Sequence, residues 1–168
     1  MSTISIIELI ALEIVRRLEQ ITTDNDYSFS VCDVVRPDRT GKGYTPEDKL
    51  IIVKQGDSTK NEAASYPGNP PAIAYDVTFE IDCFLRSSDF DADEYNIDQN
   101  ERGSQIIKAL TTEATDPGSW YSLEGNAILA DFGNIKQFSV SESNHNGVTV
   151  ELNVLYRTSE NDPYEVRP

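Results

Sequence analysis

Apolar and polar residues alternate most strictly along the middle of the chain. Ile73, Tyr75, Val77, Phe79, Ile81, Cys83 and Leu85 share one side, and Asp76, Thr78, Glu80 and Asp82 share the other. A two-residue period is that of a strand with one buried face. About fourteen such residues would span roughly 45 Å, long for a small domain. A second clean alternation puts Val148, Val150, Leu152, Val154 and Tyr156 opposite Thr149, Glu151, Asn153 and Arg157. Before it lie Phe138-Ser139-Val140 and then Asn144-His145-Asn146-Gly147. The Asn-Gly pair predicts a tight hairpin turn with positive φ angles.

Helical spacing appears twice. Residues 3–21 carry Ile4, Ile7, Ala11, Ile14, Leu18 and Ile21 at steps of three and four, with Ser2 or Thr3 placed to cap the start. Residues 96–114 place Ile97, Ser104, Ile107, Leu110 and Ala114 on one stripe despite Gly103. Phe29, Val31, Asp33 and Val35 predict a strand ended by Arg36-Pro37, a glycine-containing loop runs to about residue 48, and residues 50–53 predict a short buried strand. Residues 56–71 have no period, and Gly56, Pro67, Gly68, Pro70 and Pro71 predict a long irregular loop. Further strands are expected around 127–130 and 135–143. The order helix, three strands, helix, two or three strands predicts an α+β domain over residues 1–157: a mainly antiparallel sheet of about five strands with two helices packed on one face. The polar, proline-ended residues 158–168 predict an extended arm that cannot continue a ladder.

Composition narrows the reading. A chain of 168 residues suits one domain with a sizeable core. Its two cysteines, Cys32 and Cys83, both fall in predicted strands and are expected to be buried, reduced thiols. Glu8, Glu13 and Arg16-Arg17 interrupt the apolar N-terminal segment, so neither a signal peptide nor a membrane span is expected, and the protein should be soluble. The net charge of −15 argues against tight nucleic-acid binding. Residues 1–60 hold ten acidic and eight basic groups, and residues 61–168 hold nineteen and six, so the acidity is concentrated in the later part. A solvated acidic surface is the plain explanation, and an assembly with faces of different sign is the sharper one.

Catalytic patterns are wanting. His145 is the sole histidine and falls in the predicted turn, a poor position for a general base. Gly41-Lys42-Gly43 lacks phosphate-loop spacing. Asp89, Asp91 and Asp93 begin like a calcium loop, but Glu94 stands where glycine is needed and Asn100 where glutamate is needed. No zinc ligand set is present, so no cofactor, no metal and no enzymatic activity are expected. Asp76, Glu80 and Asp82 share one strand face, on which same-side neighbours lie about 7 Å apart, with no nucleophile in view. A small carboxylate-dependent hydrolase is therefore the weaker alternative. In a ring of subunits, the same face would line an acidic lumen that repels passing nucleic acid.

The combination of several short motifs resembles tail terminator proteins of long-tailed bacteriophages. These are the amphipathic N-terminal helix, the stretch ending Gln55-Gly56-Asp57, Phe79-Glu80-Ile81 in the long strand, Asp131-Phe132-Gly133, and Tyr156-Arg157-Thr158 with Asp162-Pro163-Tyr164. The resemblance implies a non-enzymatic virion protein, assembled in the host cytoplasm. It would form a homo-oligomeric ring, typically a hexamer, on the head-proximal end of the tail tube. There it would stop tube growth, offer a docking surface to the head connector and let DNA pass without specific binding. It would have no membrane partner. Candidate assembly contacts on this reading are Gly56, Asp57, Tyr66 and Pro70 in the loop, and Tyr156, Arg157, Asp162, Pro163 and Tyr164 at the arm. A neck or head-completion protein would occupy the same junction and is the alternative within this class.

Overall fold

A computed structural model describes residues 4–37, 44–68, 71–86, 92–140, 145–159 and 162–166. Among the described residues, two α-helices, α1 (Ile6–Leu18) and α2 (Ala92–Thr112), accompany seven strands: β1 (Asp33–Val35), β2 (Leu50–Gln55), β3 (Thr59–Tyr66), β4 (Ala72–Arg86), β5 (Leu129–Val140), β6 (His145–Ser159) and β7 (Asp162–Val166). Short 3-10 helices form at Thr23–Asn25 and Pro117–Ser122. The class is α+β. The sheet is mixed and seven-stranded rather than a sheet of about five: β1 pairs with β2 in parallel, and the remaining pairs are antiparallel.

β4 and β6 form the spine, in continuous register from Ala72 with Ser159 to Arg86 with His145. Each is flanked by two collinear pieces. β2 and then β3 run along β4, while β5 and then β7 run along β6. Gly56 keeps the first flank continuous by donating its N–H to the Thr78 carbonyl at 2.9 Å. A Cβ on Gly56 would meet that oxygen at 2.9 Å, too close for any side chain without a shift.

The alternations mark burial as predicted over their central stretches, whereas Ile73 and Tyr75 are half-buried and Asp82 is buried on the polar side. Val77, Phe79, Ile81 and Cys83 of β4 and Val148, Val150, Leu152, Val154 and Tyr156 of β6 are buried in one cluster with Ile51 and Val53 of β2. The same cluster holds Ile6, Ile10 and Ile14 of α1 and Ile106, Ala109 and Leu110 of α2. A smaller cluster of Leu50, Ile52 and Phe84, with Val35, Tyr44 and Phe138 against it, lies on the other side of the strands.

Several expectations are corrected. Of the first helical stripe, Ala11, Ile14, Leu18 and Ile21 are buried as expected, but Ile4 is exposed and Ile7 half-buried, and Ile6, Ile10 and Arg17 are buried instead. The Arg17 guanidinium is fully enclosed, donating to Glu13 at 2.7 Å and to the carbonyls of Leu110 at 2.7 Å and Trp120 at 3.0 Å. Ile97 of α2 is exposed, and Gln99 and Arg102 are buried in its place. The early strand shrinks to β1, and Cys32 just before it is exposed, whereas Cys83 is buried.

Residues 56–71 are not wholly irregular, since β3 forms between the glycine and the prolines. It has no apolar alternation because its side chains supply the pairing. Ser65 accepts from the Ala74 N–H at 2.9 Å and donates to the Asn61 carbonyl, and Asn61 accepts from the Ala64 N–H. The tail also joins the sheet: β6 continues to Ser159 and β7 pairs back on it, so residues beyond 157 do not begin a detached arm.

Gly147 lies inside β6, opposite Phe84 and Phe138, rather than at a positive-φ turn position. Glycine is required there by crowding, since a Cβ would collide with the Cys83 carbonyl and the Phe138 ring. Among the described residues, no helix is long and apolar enough to cross a membrane.

Candidate functional site

The even-numbered side of β4 and the odd-numbered side of β6 build a polar outer face. The register sets Asp76 beside Leu155, Thr78 beside Asn153, Glu80 beside Glu151, and Asp82 beside Thr149. β2 adds Lys54 beside Glu80, and β5 adds Leu129 beside Leu155 and Asp131 beside Asn153. Cross-strand pairs of this kind are what stabilise a solvent-facing sheet surface.

The three acids singled out on β4 have different surroundings. Asp76 is exposed and accepts from the Asn61 side-chain amide at 2.8 Å. Glu80 is exposed. Asp82 is not available to a lumen as expected, because it is 5 % exposed, accepts from the Thr149 hydroxyl at 2.6 Å and is ion-paired with Lys54. Burial opposes the charge on Lys54, but its donation to Asp82 prevails and raises its pKa. β6 contributes a further carboxylate, Glu151. It accepts from the Lys136 ammonium and from the Asn134 backbone N–H and side-chain amide. These donors, Lys136 first, hold its pKa down to about 2.

Among the described residues, no lysine or arginine comes within 4.0 Å of the carboxylate of Asp76, Glu80 or Asp131, although Glu80 acts at longer range on the charges of Lys54 and Lys136. Nor does any group of three or more His, Cys, Asp and Glu come together to hold a metal ion. The would-be calcium segment begins at residues outside the described set, and so does Pro70.

The candidate assembly residues also divide. Asp57 and Pro163 are exposed, and Asp162 is half-buried in β7 opposite Ser159. The backbone of Tyr164 belongs to β7. Tyr66 is 41 % exposed, with the Arg157 guanidinium carbon 5.1 Å from its ring centre, and Arg157 also donates to the Ala64 carbonyl at 2.8 Å. Tyr156 is corrected as a contact residue. It is 5 % exposed, stacked on Tyr75, and donates to Ser58 at 3.1 Å, all within its own chain.

Leu129 and Leu155 are not marked by the sequence pattern, and Asp131 and Asn153 appear there only within a short motif and an alternation, not as members of one site. What hid the group is β5. Its register shifts between Phe132 and Ile135, at Gly133 and Asn134, so no uniform period links Leu129 to the hairpin. No protein-family model matches the chain, and no curated protein matches it.

Proposed function

We propose that this chain is a ring-forming structural protein of a phage tail, the terminator that caps the head-proximal end of the tail tube. The observation that supports it most is the polar outer face of β4, β6 and β5. It is held together by cross-strand pairs, carries the exposed acids Asp76, Glu80 and Asp131, and is suited to bordering a passage for DNA rather than binding it. In this reading both α-helices cover the opposite face, the sheet acts as its mainly antiparallel core, and the chain is not an enzyme. Among the described residues, β5 is paired only with β6, so its twelve-residue outer edge is available to a neighbouring subunit. Tyr66 and Pro163 stand at the Ala72–Ser159 end of the spine and Asp57 at the joining segment beside Thr78, where tube or connector contacts would form.

The test is to add the purified protein to polymerising tail-tube subunits and examine the products by negative-stain electron microscopy. Capped tubes of defined length are expected. If tubes lengthen as they do without it and the protein binds head connectors instead, it is a neck protein.

A further inference from the structure

One end of the outer face is a shallow groove of about 410 Å³, lined by Asp76, Thr78, Leu129, Asp131, Asn153 and Leu155. Two adjacent rows of the sheet build it. Asp76, Leu155 and Leu129 form one row, and Thr78, Asn153 and Asp131 form the next. The floor is apolar and open: Leu129 is 50 % exposed at the edge strand, and Leu155 is half-buried beside it. The middle is locked, since the Thr78 hydroxyl donates to the Asn153 carbonyl oxygen at 2.7 Å. The acids stand at diagonal corners. Two strand spacings across and one residue pair along put their Cα atoms about 12 Å apart.

This geometry selects among occupants. The separation is too great for both carboxylates to ligate one metal ion, whose oxygen ligands lie about 2.0–2.6 Å from it. A nucleic acid meets uncompensated negative charge. A second copy brings a net charge of −15 to a surface already acidic. What complements an apolar floor between two carboxylates is an apolar stem with cations at both ends. In an extended segment, residues four apart lie about 13 Å from one another on the same side, with the residue midway between them facing the same way. We propose that the groove receives an extended basic segment of a different protein, with cationic side chains on Asp76 and Asp131 and an apolar side chain between them on Leu129 and Leu155. This does not depend on the tube-capping reading, and either can fail without the other.

The probe is the peptide acetyl-Arg-Ser-Leu-Ser-Arg-amide, titrated at low ionic strength while the methyl NMR signals of Leu129 and Leu155 are followed. Saturable shifts at these two residues are expected. Asp76→Asn and Asp131→Asn should each weaken binding about threefold to fivefold, the scale of an exposed ion pair. Leu129→Ser should weaken it similarly, and unchanged spectra elsewhere report that the variants stay folded. The proposal is overturned if shifts are absent or centre on other residues, or if the two asparagine variants bind as well as the parent. It is also overturned if the same peptide with glutamate for arginine binds equally, or if arginine amide alone reproduces the saturation.

Discussion

Tyr75 and Tyr156 stack across the β4–β6 pair with ring centres 5.6 Å apart and planes inclined by 25°. They cover the spine where β2 gives way to β3, and the Tyr156 hydroxyl ties them to Ser58 in the joining segment. Tyr156→Phe removes only that hydrogen bond and should cost about 0.5–1.5 kcal/mol. Tyr156→Ala also leaves a cavity and should cost about 3–5 kcal/mol. Urea unfolding of the two variants checks the difference, and equal losses would show that the hydroxyl carries the effect.

Gly147 tolerates no side chain in β6. Gly147→Ala must push β4 away or displace the Phe138 ring, an overpacking effect of about 1–3 kcal/mol. Had glycine been retained for turn conformation, alanine would be penalised through backbone strain without disturbing Phe138. The Phe138 ring signals in an NMR spectrum of the variant separate the two cases.

Arg17 has its guanidinium shared between Glu13 and two carbonyls in a site closed to water. Arg17→Met leaves the Leu110 and Trp120 carbonyls without this donor and Glu13 held by Arg16 alone, and should destabilise by about 1–3 kcal/mol for each buried acceptor left unsatisfied. Arg17→Lys should recover little, because an ammonium cannot reach in the same planar fork. Thermal melting of both variants tests this. Full stability of the lysine variant would mean that charge alone suffices.

Acid should reach Glu151 late. Its pKa in the folded chain is about 2, below the ordinary carboxylate value that applies to the unfolded chain. The folded state therefore binds this proton more weakly. The resulting stabilisation is complete above the unfolded pKa and is lost as pH falls toward 2. Glu151→Gln should flatten the stability profile between about pH 5 and 2 and leave its slope above pH 6 unchanged. A Glu151 carboxyl carbon titrating near 4 by NMR would refute the assignment.

The two thiols should differ in reactivity. Cys83 is enclosed, and burial pushes its pKa up to about 12, whereas Cys32 is exposed. A disulfide reagent should label one thiol in the native protein and the second only with denaturant. Prompt labelling of both would show that β4 opens readily.

The strands legible in the sequence were those whose alternation reports one-sided burial. β4 appears almost at its true length because Val77, Phe79, Ile81 and Cys83 all meet the core, whereas β6 runs past both expected ends, through the expected turn at one end and into the expected arm at the other. β3 was hidden because Asn61 and Ser65 use side-chain oxygens and amides to complete the ladder, which leaves no hydrophobic period. β7 was hidden by its polar composition and by Pro163. Most of the buried stripe of α1 is legible, but Arg17 on it is not, because a buried arginine looks like a solvent-facing residue until its carbonyl partners, supplied by α2 and the Pro117–Ser122 helix, are in place. On the outer face, the acids of β4 were legible. The neutralisation of Asp82 was not, because Lys54 arrives from β2 through a register that local sequence does not encode. The groove depends on the β5 bulge in the same way.

The spine joins residues 72–86 to residues 145–159, with residues 87–144 between them. Until the later segment leaves the ribosome, β4 has no partner along its β6 side and its apolar row lies open. Sheet closure therefore waits on late synthesis, and a long loop must be ordered before the central pairing forms. During that interval the nascent chain, with α1 and β4 already made, is the form most exposed to aggregation and most in need of a chaperone.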